Sequence, residues 1–133
     1  IENFLFAVSW MLIGLIWVVQ LVLYPAFHFV SEERFPAFHR HHTTSIILIV
    51  MPLMLAELAL TAWEVLQTMA FFEWVPLVMV AGIWACTFLV SVPLHRSLSR
   101  GKSHKKINLL IQTNWIRTLL WTIKGIWITW HPG

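Results

Sequence analysis

The sequence is very poor in acidic groups. It contains no aspartate, its six acidic residues are all glutamates, and only 11% of its 133 residues are charged, while 59% are hydrophobic. About a quarter of the residues of a soluble domain are usually charged. So few charges cannot cover the surface of a soluble fold. The composition therefore predicts a single integral membrane domain, residues 1–133, whose main partner is the lipid bilayer and which has no nucleic-acid partner.

Cysteine is almost absent as well, since Cys86 is the only one. A single cysteine excludes an intrachain disulfide and any zinc site built from several thiolates. The first apolar segment is not followed by a small-residue cleavage site, so it is predicted to be a membrane span and not a signal peptide.

Four apolar segments match the length of about 20 residues that a membrane-spanning helix requires. They cover about residues 3–24, 44–67, 71–94 and 107–130. Backbone groups in hydrocarbon need internal partners, so each segment is expected to be helical. The stretch "SEERFPAFHRHH" resembles a helix start and predicts a short cytoplasmic helix that either leads into the second span or lies along the interface. The predicted fold is an all-α bundle of four transmembrane helices.

The basic residues predict the orientation of this bundle. The first and third loops hold most of the Lys and Arg residues, whereas the second loop and both termini hold none; the basic loop residues are Arg34, Arg40, Arg96, Arg100, Lys102, Lys105 and Lys106. Because cytoplasmic loops are enriched in Lys and Arg, loops one and three are predicted to be cytoplasmic and both termini to lie outside. The expected location is a bacterial-type inner (plasma) membrane.

Two predicted spans contain charged groups. Glu57 and Glu64 lie in the second span, and Arg117 and Lys124 lie in the fourth, with the same spacing of seven residues. Counting each span from its predicted start places the two pairs at similar depths. This predicts ion pairs between Glu57 and Arg117 and between Glu64 and Lys124. Such pairs act as structural clamps or as a polar site for a substrate or protons, and Asn114 is predicted to share the face of Arg117.

Histidine is abundant, with seven residues. Four of them, His28, His39, His42 and His95, lie near the predicted cytoplasmic ends of spans and are candidate ligands of a metal ion, since imidazole binds zinc, copper, iron and nickel. Axial ligation of a haem by two of them is a second alternative. The third is that these imidazoles contact lipid phosphate and loop backbone. The sequence itself requires no cofactor.

Two stretches resemble a known family. "SVPLHRSLSRG" at the end of span three and "TNWIRTLLWTIKG" in span four resemble the anthrone oxygenase-like family of small four-span membrane proteins, and "LYPAF" after span one is compatible with it. The family shows a Pro, a polar residue and Leu at the end of span three, and a Trp-Asn-Arg-Thr-like signature in span four. The matching residues are Pro93, His95, Leu98, Asn114, Trp115, Arg117 and Thr118. His95 stands where the family usually has Asn. The resemblance implies oxygenation of polycyclic aromatic molecules and favours Asn114 and Arg117 as site residues.

These observations lead to two hypotheses about function. In the first, an oxygenase- or oxidoreductase-like protein acts on a hydrophobic aromatic or quinone-like molecule. Arg117 stabilises negative charge on its oxygen, Glu57 orients Arg117 or moves a proton, and Asn114 lies beside them. His95 is the alternative base, because imidazole titrates near neutral pH in water. In the second, the chain is a non-catalytic accessory subunit of a larger membrane complex or a homo-oligomer, in contact with pigment, haem or lipid.

Overall fold

The computed structural model describes residues 2–131, and over that range it is helical with no strand. Its four long helices are α1 (Glu2–Phe29), α2 (Phe35–Thr68), α3 (Phe71–Leu98) and α4 (His104–Trp130). The first three are long and apolar enough to cross a membrane. The polar side chains of α4, which include Arg117 and Lys124, make it the least apolar of the four helices. The predicted all-helical fold is thus confirmed for residues 2–131, and three of the four predicted spans correspond to helices that are long and apolar enough to cross a membrane.

The helices pack as a bundle in which α1 and α3 each contact both α2 and α4. Its core contains large apolar side chains from all four helices, among them Leu12, Met54, Ile83 and Trp121. α1 and α4 approach closely at Gly125, where an added Cβ would lie only 2.2 Å from Ile13 Cδ1. A side chain larger than hydrogen at this position therefore forces Ile13 to move.

α2 is much longer than the predicted second span. It begins at Phe35, whose side chain is fully buried, and runs without a break to Thr68. Pro36 lies in the first turn, where a helix does not need its missing N–H. The predicted short cytoplasmic helix is therefore not separate: it leads straight into α2, as the first of the two alternatives proposed.

α1 and α3 share a feature that the sequence did not reveal. Each changes to a five-residue π-helical segment, Val19–Leu23 in α1 and Thr87–Ser91 in α3, and each segment is followed two residues later by a proline, Pro25 or Pro93. A proline cannot donate a hydrogen bond to the carbonyl four residues before it, so each leaves one carbonyl of the preceding segment without its usual partner. Single π-helical turns are frequent at functional sites.

One stretch of α2 contributes only partly buried side chains to the packed core. Between His39 and Met54 no side chain is buried, and Pro52 lies inside the helix at the end of this stretch. A cavity lies beneath it, and its wall also includes Val19 from the π-helical segment of α1 and Thr87, Phe88 and Ser91 from that of α3.

Candidate intramembrane site

The cavity has a volume of about 370 Å³ and lies among all four helices. That is within the range of about 300–1,000 Å³ typical of small-molecule sites. Most of its wall is aliphatic or thioether carbon from α1 and α2, together with aromatic and aliphatic residues of α3; these residues are Leu12, Leu15, Ile16, Val19, Ile46, Ile47, Val50, Met51, Met54, Phe88 and Val92. A molecule held here would be largely hydrophobic.

The cavity reaches the outside of the bundle between α2 and α3. Ile47 of α2 and Phe88 of α3 both line it, yet their side chains are 51% and 48% exposed. Both residues lie within helices apolar enough to cross a membrane, so this opening would face acyl chains. The other end of the cavity is bordered by Arg96 and Ser99, which are exposed at the end of α3.

A chain of hydrogen bonds forms part of the polar wall. Tyr24 Oη lies 3.0 Å from His95 Nε2, and His95 Nδ1 lies 2.9 Å from His39 Nε2. His42 stacks near His95, with ring centroids 6.1 Å apart. All four residues line the cavity. With Tyr24 as the donor of the first bond, a proton taken up at its oxygen can pass through His95 to His39, which then carries the positive charge as an imidazolium.

Arg117 supplies the buried positive charge of this wall. Its side chain is 6% exposed and lines the cavity, and its NH1 group donates to Asn114 Oδ1 at 3.2 Å. The guanidinium also lies over the Trp121 ring, 5.0 Å from the centroid, which is favourable for a cation. Among residues 2–131 no carboxylate lies within ion-pair distance of it.

Unpartnered polar atoms are concentrated around the cavity. Five buried side-chain nitrogen or oxygen atoms in the described part of the chain have no hydrogen-bond partner, and three of these belong to cavity residues: His39 Nδ1, Ser91 Oγ and Arg117 Nε. Each such group costs about 1–3 kcal/mol when left unsatisfied. Buried polar groups without a partner are therefore most frequent among the residues that line the cavity.

The predicted ion pairs are wrong in their partners. Glu57 pairs with Lys124, through a contact of 2.5 Å between Oε2 and Nζ, and not with Arg117. Lys124 Nζ also donates to Ser9 Oγ at 2.7 Å, and Trp121 Nε1 donates to Glu57 Oε1 at 2.9 Å. Glu57 and Lys124 are both 0% exposed, so this is a closed, internally satisfied clamp joining α1, α2 and α4.

The reason for the error is the true start of α2. Glu57 comes about six helical turns after Phe35, and Lys124 comes about five and a half turns after His104, where α4 begins. The two residues therefore reach nearly the same height in parallel helices. Arg117 comes only about three and a half turns after His104, so it lies well below Glu57.

Glu64 does not form its predicted pair either. It makes no ion pair among the described residues. Its side chain lies half-buried beside a small second cavity that Glu2 and Glu73 also line. The predicted partner, Lys124, is instead bonded to Glu57.

Asn114 is a positioning residue and not part of the cavity wall. It is fully buried and its Nδ2 donates to Gln20 Oε1 at 2.9 Å, while its Oδ1 accepts from Arg117. Gln20 Oε1 also accepts from Thr118 Oγ1 at 2.8 Å, and Gln20 Nε2 donates to the Ile111 carbonyl. This network fixes one end of the guanidinium.

Glu57 does not line the cavity either. Lys124 and Trp121 occupy both of its carboxylate oxygens. It therefore cannot orient Arg117 or exchange a proton with a molecule in the cavity, as the first hypothesis expected.

The four predicted metal ligands do not come together. His39, His42 and His95 lie at the cavity, but His28 lies elsewhere, with its Nδ1 2.6 Å from His104 Nδ1 and its Nε2 2.8 Å from Asn108 Oδ1. Across residues 2–131 no group of three or more His, Cys, Asp or Glu side chains has a geometry that could hold a metal ion. The four histidines therefore do not form the predicted metal site. Those that approach one another do so through hydrogen bonds and ring stacking.

Sequence analysis missed three residues of the site and its support. Tyr24 is the only tyrosine of the chain, Gln20 is an isolated amide within the first span, and Ser91 lies two residues before Pro93. Gln20 and Ser91 both belong to the π-helical segments, which turn them into the bundle. An isolated polar residue in an apolar span was the available signal, since such residues usually face the bundle interior.

Comparison of the chain with models of protein families, with curated proteins and with solved structures gives no match.

Proposed function

We propose that the chain is a four-span inner-membrane protein that binds a hydrophobic aromatic or quinone-like molecule in the cavity and acts on it in an oxygenase- or oxidoreductase-like reaction. The observation that carries this proposal is the coincidence of a largely apolar cavity with three unpartnered buried polar groups on its wall. The apolar part would hold the body of the molecule, and the polar part would bind its oxygen.

The position of α4 supports a fourth span. Its length from His104 to Trp130 corresponds to about 40 Å of helix, more than the hydrocarbon thickness of a bilayer. It packs against both α1 and α3, and its charged groups at Arg117 and Lys124 are buried inside the bundle. With four spans, the basic residues of the first and third loops would lie together on the cytoplasmic side.

The chemistry available to this site begins with a proton. An acidic C–H or O–H of the bound molecule would give its proton to the chain formed by Tyr24, His95 and His39. The electron pair left behind would be stabilised as an enolate or phenolate by Arg117, as preorganised cations do. His95 thus keeps its predicted role as base, together with Tyr24, whereas Glu57 loses its predicted role because it is fully engaged with Lys124.

The resemblance to the anthrone oxygenase-like family adds molecular oxygen as the electron acceptor. An enolate carbon would form a C–O bond with dioxygen to give a hydroperoxide, which takes up one proton. Loss of the remaining hydrogen on that carbon, with cleavage of the O–O bond, would give a ketone and water. One oxygen atom ends in the product and the other in water, so no further reductant is required.

The binding part of the proposal can be tested by filling the cavity. Val50 lines it and is partly buried, so Val50→Trp should occupy the space. Leu48→Trp is the matched control, because Leu48 is on the same helix but exposed and not part of the wall. Both variants and the parent protein are purified in nanodiscs, and binding of an alkylated naphthoquinone is measured by equilibrium dialysis against empty nanodiscs.

We expect saturable binding to the parent protein and to Leu48→Trp, and binding at least about tenfold weaker to Val50→Trp, as for loss of a well-filled apolar pocket. Equal binding to all three proteins, or none to any of them, contradicts the proposal. Isolation of a stoichiometric larger complex without any bound small molecule would instead support the accessory-subunit hypothesis. Oxygen consumption with a hydrophobic anthrone then tests the reaction separately.

A further inference from the structure

The cavity wall carries positive charge without any compensating negative charge. Arg117 is buried in it and Arg96 borders it near the end of α3, whereas no glutamate is among the lining residues. Glu57, on the neighbouring turns of α2, is bonded to Lys124 and Trp121. After Glu73 the chain has no acidic residue at all, so α4 has no carboxylate of its own to offer.

An uncompensated guanidinium is costly in such a place. Arginine stays protonated in proteins under all ordinary conditions, so it cannot lose its charge as a lysine or histidine can. A buried charge without a partner destabilises a protein by several kcal/mol, and more within hydrocarbon than in water. The hydrogen bond to Asn114 and the contact with Trp121 offset only part of this, because neither group carries a negative charge.

We infer that the site binds its ligand in the ground state as an anion, a hydrophobic weak acid whose ionised hydroxyl oxygen lies against Arg117. This inference rests on the proposed function and narrows the ligand to one with an acidic oxygen on a planar apolar body. The second donor is the Ser91 hydroxyl, which is buried, unpartnered and on the same wall. The aromatic side chains of Tyr24, Phe88 and Trp121 supply flat surfaces for a ring.

The arrangement also explains why the anion would be preferred over the neutral acid. An ionised oxygen accepts from both Arg117 and Ser91 and cancels the buried charge, and hydrogen bonds between charged partners are about twice as strong as neutral ones. A neutral quinone oxygen can accept the same hydrogen bonds but leaves the guanidinium uncompensated. The preference of the site for the anion over the neutral quinone is therefore electrostatic, and Arg117 is its source.

The test compares two probes on the unchanged protein, which avoids any question of misfolding. An alkylated hydroxynaphthoquinone that is ionised at neutral pH and its methyl ether share a ring and a tail but differ in charge. Binding of each to the protein in nanodiscs is measured by equilibrium dialysis, with empty nanodiscs as the blank. We expect the ionised probe to bind at least about tenfold more tightly, the size of one charge-assisted hydrogen bond.

Three variants test which residues cause the preference for the ionised probe. Arg117→Met should abolish the preference for the ionised probe while leaving binding of the methyl ether in place, and Arg117→Lys should retain most of it. Ser91→Ala should weaken both probes by a smaller factor. A preference that survives unchanged in Arg117→Met overturns the assignment to Arg117.

The outcomes separate this inference from the proposed function. If the ether binds as tightly as the ionised probe, the site is a quinone site and the inference of an anionic ligand is wrong. If neither probe binds, the proposed function fails and the inference fails with it. A fatty carboxylate of similar length is the third probe: binding tighter than that of the ionised ring compound overturns the planar class of ligand, whereas weaker binding supports it.

Discussion

Lys124 and Arg117 are both buried cations of α4, two turns apart on one face, but their surroundings differ. Lys124 is 0% exposed and has a carboxylate and a hydroxyl as partners. Arg117 lies at the cavity and has one amide oxygen. Fully satisfied buried polar networks rigidify a core, whereas a buried polar group that lacks partners requires an explanation, such as a bound water, an ion or a catalytic role. Lys124 thus belongs to a structural part of the bundle, and Arg117 belongs to its candidate functional part.

The largest expected effect on stability comes from breaking the ion pair between Glu57 and Lys124. Glu57→Ala leaves the Lys124 ammonium buried without its carboxylate, and removal of one partner from a buried pair typically costs about 3–5 kcal/mol. We expect loss of most folded protein, measured as the fraction that stays monodisperse on size-exclusion chromatography after heating in detergent. The double variant Glu57→Leu with Lys124→Met should recover much of this loss. If Glu57→Ala were as stable as the parent protein, the pair of Glu57 and Lys124 would not be a structural clamp.

The second largest effect is expected from removing the hydrogen bonds that hold the Arg117 guanidinium in position. Gln20→Leu removes the acceptor of Asn114 Nδ2 and Thr118 Oγ1, and each buried donor left unpaired costs about 1–3 kcal/mol. We expect a clear fall in the unfolding midpoint in detergent, together with weaker binding of the ionised probe, because Asn114 no longer fixes the guanidinium. Leu21→Ala, at the neighbouring exposed position of α1, serves as the control. Unchanged binding in Gln20→Leu would show that Arg117 is positioned without this network.

A third change tests packing next to the clamp without touching a charge. Gly125→Ala places a methyl group against Ile13 Cδ1, and such overpacking typically costs about 1–3 kcal/mol. Because the contact is with the end of a flexible side chain, we expect the lower part of this range. Ile13→Val removes the clashing atom and should restore the midpoint in the double variant. Gly14→Ala, which meets nothing within 4 Å, is the control and should be neutral.

The smallest expected effect on stability is that of Arg117→Met. It removes an uncompensated charge, which favours the folded state, but it also removes the partner of Asn114 and the contact with Trp121. The lost contacts offset only part of the gain from removing the charge, so we expect no loss of stability and at most a small rise in the unfolding midpoint in the absence of ligand. The same thermal assay measures it beside Glu57→Ala. An equally large loss in both variants would remove the distinction between the two cations.

The all-helical membrane class was predictable because hydropathy and the scarcity of charge depend on composition. The presence of an ion pair between α2 and α4 was also predictable, since buried acids and bases need each other. Its partners were not, because pairing depends on where a helix starts, and the polar stretch "SEERFPAFHRHH" conceals the first turns of α2. Because the height of Glu57 relative to α4 was wrong by about two turns, Glu57 was predicted to pair with Arg117, whereas it pairs with Lys124.

Two residues that sequence analysis named, Arg117 and His95, line the cavity, whereas Tyr24 and Ser91 line it without having been named. Arg117 was identified as a cation within a span, and His95 as an imidazole at the end of span three. Tyr24 and Ser91 were missed because π-helical segments change which residues face inward, and the apolar periodicity of a span does not mark such segments. The repeated order of π-helical segment and proline in α1 and α3 became visible only in three dimensions.

The clamp between Glu57 and Lys124 has a consequence for biosynthesis. The two residues are 67 positions apart, so the carboxylate enters the membrane well before its cation leaves the ribosome. A chain that ends after α3 contains a carboxylate with no counter-ion, and it is expected to be a target for membrane proteases. The arrival of α4 supplies the missing ammonium, so this helix, which is synthesised after the other three, completes the quality check on them.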